Sequence, residues 1–161
     1  MKKYGTRLHK MMEIFSWVIL LISFLIAIYG IFVLPDTIAA HYNMRGEVDG
    51  YGSPAILLLM PILMGICLMI MSLCVHLVNP ENWSTLVEVR RRNREMVYRD
   101  SLTMMLLIEL ELSGMTLFIQ ILSYRQSMKG LGVGLAIFIS AITLTIVLLS
   151  VRTIKKNKKC D

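Results

Sequence analysis

FSWVILLISFLIAIYGIFVL, residues Phe15 to Leu34, is twenty positions without a charged side chain. At about 1.5 Å per residue, such a helix reaches across roughly 30 Å of hydrocarbon. Three more blocks of twenty or more apolar residues follow: about Ala55 to Val78, Leu102 to Tyr124 and Leu131 to Val151. Within lipid every backbone amide must be paired inside its own segment, so each block is read as a helix. Barrel strands would show shorter, alternating stretches of about ten residues. The fold class follows: an all-α integral membrane protein of four transmembrane helices, forming a single membrane domain over residues 1–161.

Composition agrees with lipid as the solvent. Of the 161 residues, 56% are hydrophobic and 17% charged, and the mean hydropathy is +0.65. A soluble domain of this size has too little interior to hide so much apolar surface. The basic start before Phe15 resembles a signal peptide, but the apolar stretch exceeds the usual length and no small-x-small cleavage site precedes Pro35. Block one is therefore expected to stay as a span.

The net charge of +6 has a simple origin. Lys2, Lys3, Arg7 and Lys10 precede the first block. Arg90, Arg91, Arg92, Arg94 and Arg99 lie between the second and third. Arg152, Lys155, Lys156, Lys158 and Lys159 follow the fourth. Arg45, Arg125 and Lys129 are the basic residues of the other two connections. The positive-inside rule then puts both termini in the cytoplasm of a plasma-membrane protein. The same distribution argues against nucleic acid, because no basic stretch is interleaved with exposed aromatics.

Between blocks two and three, residues 79–101 read as helical: Asn79 can cap, Pro80 suits the first position and Glu81 the first turn. Trp83, Leu86, Val87 and Val97 would share one face along the headgroups, with the Arg cluster toward anionic lipid. The alternative is a solvated cytoplasmic extension of helix three. Residues 152–161 form a basic cytoplasmic tail. Arg125 to Gly130 is a tight outer turn, and the glycines at 130, 132 and 134 favour close packing of helix four.

The outer loop, residues 35–54, is chemically distinctive: PDTIAAHYNMRGEVDGYGSP. Pro35 ends helix one, and Asp36 or Thr37 can cap a short helical turn. Gly46, Gly50 and Gly52 are expected at turns with φ above zero. The loop therefore reads as structured, lying on the outer helix ends.

This segment resembles the SdpI-type immunity family of Gram-positive bacteria and its domain of unknown function. Leu34, Pro35, Ile38, His41, Tyr42, Asn43, Gly46, Asp49 and Gly52 match the family pattern, as do Pro61 and the Asn79-Pro80 pair. Ala39 departs from a usual proline, and Ser53-Pro54 stands where a lysine is common. The resemblance covers about Val33 to Pro80. It implies a multi-pass membrane protein, and for the best-known members protection against a secreted peptide toxin. Some members also hold a transcriptional repressor at the membrane. A further membrane region of longer members has no counterpart in these residues.

Two residue sets could carry chemistry. On the outer face, His41, Asn43, Glu47 and Asp49 could bind a peptide or a cation, or His41 and Asp49 could act as an acid/base pair. Their structural alternative is a hydrogen bond from His41 to Asp49 that fixes the loop. In helix three, Glu109, Ser113, Thr116 and Gln120 recur at spacings of 4, 7 and 11, a polar stripe facing the bundle interior. Glu111 must point elsewhere, because residues two apart lie on nearly opposite faces. Acidic groups at membrane depth are costly and mark candidate sites.

No catalytic motif, zinc spacing, P-loop or dinucleotide fingerprint occurs, so neither cofactor nor metal is expected. Cys67 and Cys74 are about 10 Å apart along a helix, too far for a disulfide. Cys160 begins too short a tail for prenylation. The thirteen methionines are scattered along the helices as packing residues, and His9 and His76 read as headgroup-level residues. The leading expectation is a non-enzymatic immunity or stress-protection protein. Its partners would be the lipid bilayer, a peptide toxin outside and a regulator protein inside, with homo-oligomers open. The alternatives are a small proton- or cation-coupled transporter using Glu109 and Glu111, and a membrane enzyme centred on His41 and Asp49.

Overall fold

The computed structural model describes residues 4–43 and 47–158. Among the described residues, four helices are long and apolar enough to cross a membrane. They are α1 (Arg7–Val33), α2 (Leu59–Leu77, preceded by a 3-10 turn over Pro54–Leu58), α3 (Arg94–Tyr124) and α4 (Leu131–Lys158). Between α1 and α2 lies an antiparallel hairpin, β1 (Ile38–Tyr42) and β2 (Val48–Gly52). Gly46, Cys160, Arg45, Lys159 and the first two lysines lie outside the described residues.

Helix α3 is the hub. It packs along α1 and α4 and, less extensively, along α2, whereas α1 and α2 touch each other much less. Side-chain bonds fix the alternation of directions. His9 near the start of α1 bonds Thr103 near the start of α3 (2.9 Å), and Glu13 of α1 bonds His76 at the end of α2 (2.8 Å). Asp100 of α3 faces Arg152, Thr153 and Lys156 near the end of α4. The starts of α1 and α3 and the ends of α2 and α4 therefore share one end, which is rich in Lys and Arg. The hairpin sits at the opposite end.

Three helices outrun the apolar blocks. Thr6 and His9 form a capping box that starts α1 eight residues before Phe15. Helix α3 begins at Arg94 and α4 runs on through Lys158, so charged turns extend past the apolar windows at the basic end. His9 is buried against α3: the Thr6 amide donates to Nδ1, so Nε2 carries the proton toward the Thr103 hydroxyl. Thr103 in turn donates to the Arg99 carbonyl.

The segment 79–101 does not form one helix. Asn79 does cap, accepting from the Glu81 amide, but only a 3-10 turn over Pro80–Asn82 follows. Trp83 is already extended, and the chain runs irregularly to Asn93. Buried Asn93 holds that run, taking the Arg90 amide and donating to the Glu88 carbonyl and to Asn157 of α4. Trp83, Leu86, Val87 and Val97 thus share no helical face. Val97 is buried on α3, while Leu86 is exposed.

The loop after α1 also differs from its expected form. Pro35 does end the helix, with the Leu34 amide still bonded to the Gly30 carbonyl. No helical turn follows; the chain bends through Asp36 and Thr37 into β1. Gly50 and Gly52 have ordinary φ values, so their smallness serves a different purpose. A Cβ on Gly50 would lie 2.9 Å from the His41 Cβ, and one on Gly52 would lie 3.1 Å from the Ala40 Cβ. The two strands approach too closely for side chains there. Gln126 and Gly130 take the left-handed conformation in the α3–α4 turn. Of the glycines at 130, 132 and 134, only Gly134 makes the close helix contact expected of them: a Cβ there would fall 2.2 Å from Phe118, whereas Gly130 and Gly132 have nothing within 4 Å.

Candidate functional sites at the hairpin and along helix three

The hairpin is tied to the helices at two points. Ile38 is buried with Ala27 of α1 and Leu57. Gln126 then locks the other edge: its Oε1 accepts from the Ala39 amide (2.7 Å) while its Nε2 donates to the Ser123 carbonyl (2.6 Å). Strand β1 is thereby held across the ends of α3 and α4.

On this platform the four polar candidates fall into two cross-strand pairs. His41 Nδ1 bonds Asp49 Oδ1. Asn43 Nδ2 donates to Glu47 Oε2 (2.9 Å), and Asn43 Oδ1 accepts from the Glu47 amide (3.0 Å). All four are partly or largely exposed. Exposed pairs of this kind contribute well under about 1 kcal/mol each, so they pin geometry more than they stabilise. Among the described residues no group of three or more His, Cys, Asp or Glu side chains could hold a metal ion. Pro35 and the two described glycines, Gly50 and Gly52, set the hairpin's course.

Beneath the hairpin is a cavity of about 330 Å³. Ala39, Ala40 and Tyr42 roof it, and residues of the α2 start, the α3 end and the α4 start form its walls. Two polar groups line it without hydrogen-bond partners among the described residues: the hydroxyl of Tyr42 and Nε2 of Gln120. Burial, and then the neighbouring Tyr51, push the Tyr42 phenol above its ordinary value, so it stays a neutral hydroxyl.

The stripe on α3 is wholly inside. Glu109, Ser113, Thr116 and Gln120 are all buried. The Ser113 and Thr116 hydroxyls return to the backbone carbonyls four residues earlier, at Glu109 and Leu112. They therefore satisfy themselves and leave the Glu109 carboxyl alone: both its oxygens are buried without partners among the described residues. Glu111 points instead to α4, where the Thr145 hydroxyl donates to it (2.6 Å). The two acids do not share a pocket.

A third acidic group completes the polar interior. Glu13 of α1 accepts from the Ser72 hydroxyl (3.0 Å) and from His76 (2.8 Å), both on α2, and it lies within electrostatic reach of Glu109. Sequence reading overlooks Glu13 because it precedes the charge-free block. The available signal is its spacing: Glu13, Ser16, Leu20, Ser23 and Ala27 follow the 3-4 pattern of the buried face of α1. Asp100, likewise unremarked in sequence, joins α3 to the basic end of α4.

Residues 18–65 match the model of a domain of unknown function, DUF1648. The match is less than a third of the chain, and it runs from α1 through the hairpin into the first turns of α2. No curated protein and no solved structure matches the chain. The matched segment contains the hairpin pairs but neither α3 acid.

Proposed function

We propose that this chain is a non-enzymatic, multi-pass protein of the plasma membrane that protects its cell against a membrane-active peptide. Both termini lie in the cytoplasm in this reading, and the hairpin faces outward. The observation that carries it is the hairpin itself. It is a folded platform, bolted to the helix ends by Ile38 and Gln126, which displays His41, Asn43, Glu47 and Asp49 in mutually satisfied pairs. Such a surface suits recognition of a peptide lying at the membrane face. Acid/base chemistry needs a group held ready beside a substrate cleft, and His41 and Asp49 are exposed and engaged with each other. The DUF1648 match overlaps, from Val33 to residue 65, the stretch whose residues resemble the SdpI-type immunity family. The exposed Arg-rich segment before α3 is the natural contact for a regulator inside the cell, and the lipid-facing flanks leave room for homo-oligomers.

A second reading is favoured by a separate observation. Glu109 is buried without a partner among the described residues, and Glu13, whose carboxyl is shared by Ser72 and His76, interacts with it electrostatically. Acidic groups from two helices in an apolar interior could pass a proton or cation, as in a small carrier.

Survival of a sensitive bacterial strain against a panel of secreted peptide toxins separates the two. Protection that is lost with His41→Ala and kept with Glu109→Gln supports recognition at the hairpin. Protection lost with Glu109→Gln and kept with His41→Ala moves the function to the helix interior.

A further inference from the structure

The cavity under the hairpin has walls of a distinct chemistry. Among the described residues its lining contains no Lys, Arg, His, Asp or Glu. These walls therefore offer no charge to an ionic headgroup or an inorganic ion. Its size falls at the lower end of pockets that bury small organic groups. The polar features are the Tyr42 hydroxyl and the Gln120 amide, together with Ser123 at the wall.

Gln120 is only 1% exposed, and its amide N–H groups have no acceptor among the described residues. A buried donor without a partner costs about 1–3 kcal/mol. Helix α3 has no need of it for packing, since a leucine of similar size would fill the same space. A ligand that brings an acceptor would remove the penalty. Tyr42, approaching from the roof, supplies a second hydroxyl donor to the same space.

Access comes from the side. Helices α2 and α4 both pack on α3 but scarcely on each other, and the cavity lies between them. Its rim at the start of the second span, Ile56 of the 3-10 turn with Leu59 and Met60 of α2, is exposed on the flank that would face hydrocarbon. An occupant arriving this way comes from the bilayer, near the depth where hydrocarbon gives way to headgroups. At that depth lipids carry ester carbonyls, which accept hydrogen bonds and donate none. An apolar peptide would bring as many backbone donors as acceptors, and the helix carbonyls lining the cavity are already engaged.

We infer that the space between α2, α3 and α4 beneath the hairpin is a lipid site, which takes the acyl-ester portion of a membrane glycerolipid with its carbonyl on Gln120 and Tyr42. The chain beyond the ester lies against Met60 and Leu135. Occupation from the bilayer would support the roof strand that also carries His41.

The test uses the full chain in phosphatidylcholine vesicles. These carry a trace of an ester-linked phosphatidylcholine with a diazirine on its acyl chain or, in parallel, the ether-linked analogue. After irradiation and digestion, labelling at Met60, Met128 and Leu135 is compared with labelling at Ile66 and Ile70, which are exposed on α2 away from the cavity. One net hydrogen bond corresponds to about a fivefold preference. The cavity residues should therefore favour the ester lipid about fivefold, while Ile66 and Ile70 show no preference. The double variant Gln120→Leu, Tyr42→Phe should abolish the preference, and Leu135→Trp, which fills the space, should reduce cavity labelling to background. Unchanged labelling of Ile66 and Ile70 reports that the variants remain folded. Equal labelling by ester and ether lipids, or a preference that survives in the double variant, would overturn the inference. Labelling only by a photoreactive apolar peptide, with neither lipid reacting, would assign the space to a peptide and overturn it as well. None of these readouts depends on toxin protection.

Discussion

Replacing Glu109 by methionine should make the protein more stable. The side chain is completely buried, and both carboxyl oxygens lack partners among the described residues. Each buried unsatisfied polar group costs about 1–3 kcal/mol. Methionine matches the length of glutamate, adapts to irregular space and brings no polar atom. Part of the gain is offset because the unfolded protein in a detergent or membrane also shields its apolar groups. A net stabilisation of about 2 kcal/mol is expected, which for a chain of this size raises the melting temperature by about 4–8 °C. The assay is thermal unfolding of the purified protein in one detergent, followed by helical circular dichroism, for wild type, Glu109→Met and Glu109→Gln. Glutamine keeps buried polar atoms without partners, so it should recover much less of the gain. The reasoning is refuted if Glu109→Met is less stable than wild type. That result would mean the carboxyl is held by a bound water or cation, and it would favour the carrier reading over the protective one.

Gly50→Ala should disrupt the hairpin, because the new methyl would lie 2.9 Å from the His41 Cβ. A loss of about 1–3 kcal/mol is expected, seen as faster amide exchange at Ile38–Tyr42 with helical content unchanged. Gly134→Ala should part α3 from α4, since its Cβ would meet the Phe118 ring at 2.2 Å. Adding Phe118→Leu should restore much of the lost thermal stability, and a double variant no better than the single would count against that contact. Asp100→Asn should weaken the same helix pair at its basic end, where the buried carboxylate faces Arg152 and Lys156 at 3.5 and 3.8 Å. Because both cations are about half exposed, the expected loss is about 1 kcal/mol, read by thermal melting and smaller in high salt.

The four spans were legible because hydrocarbon demands long charge-free runs, and nothing else in a chain of this size produces four of them. The polar stripe on α3 was legible for a related reason: spacings of 4, 7 and 11 place Glu109, Ser113, Thr116 and Gln120 on one face whatever surrounds the helix. Less of the connecting structure could be read. The signals at Asn79, Pro80 and Glu81 describe a helical start and do start one, but capping says nothing about how far a helix continues. The hairpin was hidden because its second strand, VDGYG, has two glycines and a low strand propensity. It forms because those glycines admit His41 and Ala40 of the facing strand, a long-range fit that no local preference encodes. Glu13 was hidden by the habit of starting a span at its first uncharged residue, when the capping box at Thr6 already sets the true start.

Because α3 is the hub, the order of contacts does not follow the order of synthesis. Helices α1 and α2 emerge first, yet α1 makes its main packing with α3, and residues 59–77 of α2 also pack more on α3 than on α1, while the 3-10 turn before them packs chiefly on α1. Until the third span enters the bilayer, the first two are joined at the hairpin end, where the Pro54–Leu58 turn packs on α1, and at the basic end through Glu13. Glu13 already has Ser72 and His76 at that point, whereas His9 still waits for Thr103. Assembly therefore closes in a single step when α3 arrives, and α4, which packs chiefly on α3, can dock only after it. A ribosome stalled before α3 would leave two spans paired at their ends with the α3-facing side of α1 uncovered, and so open to membrane quality control.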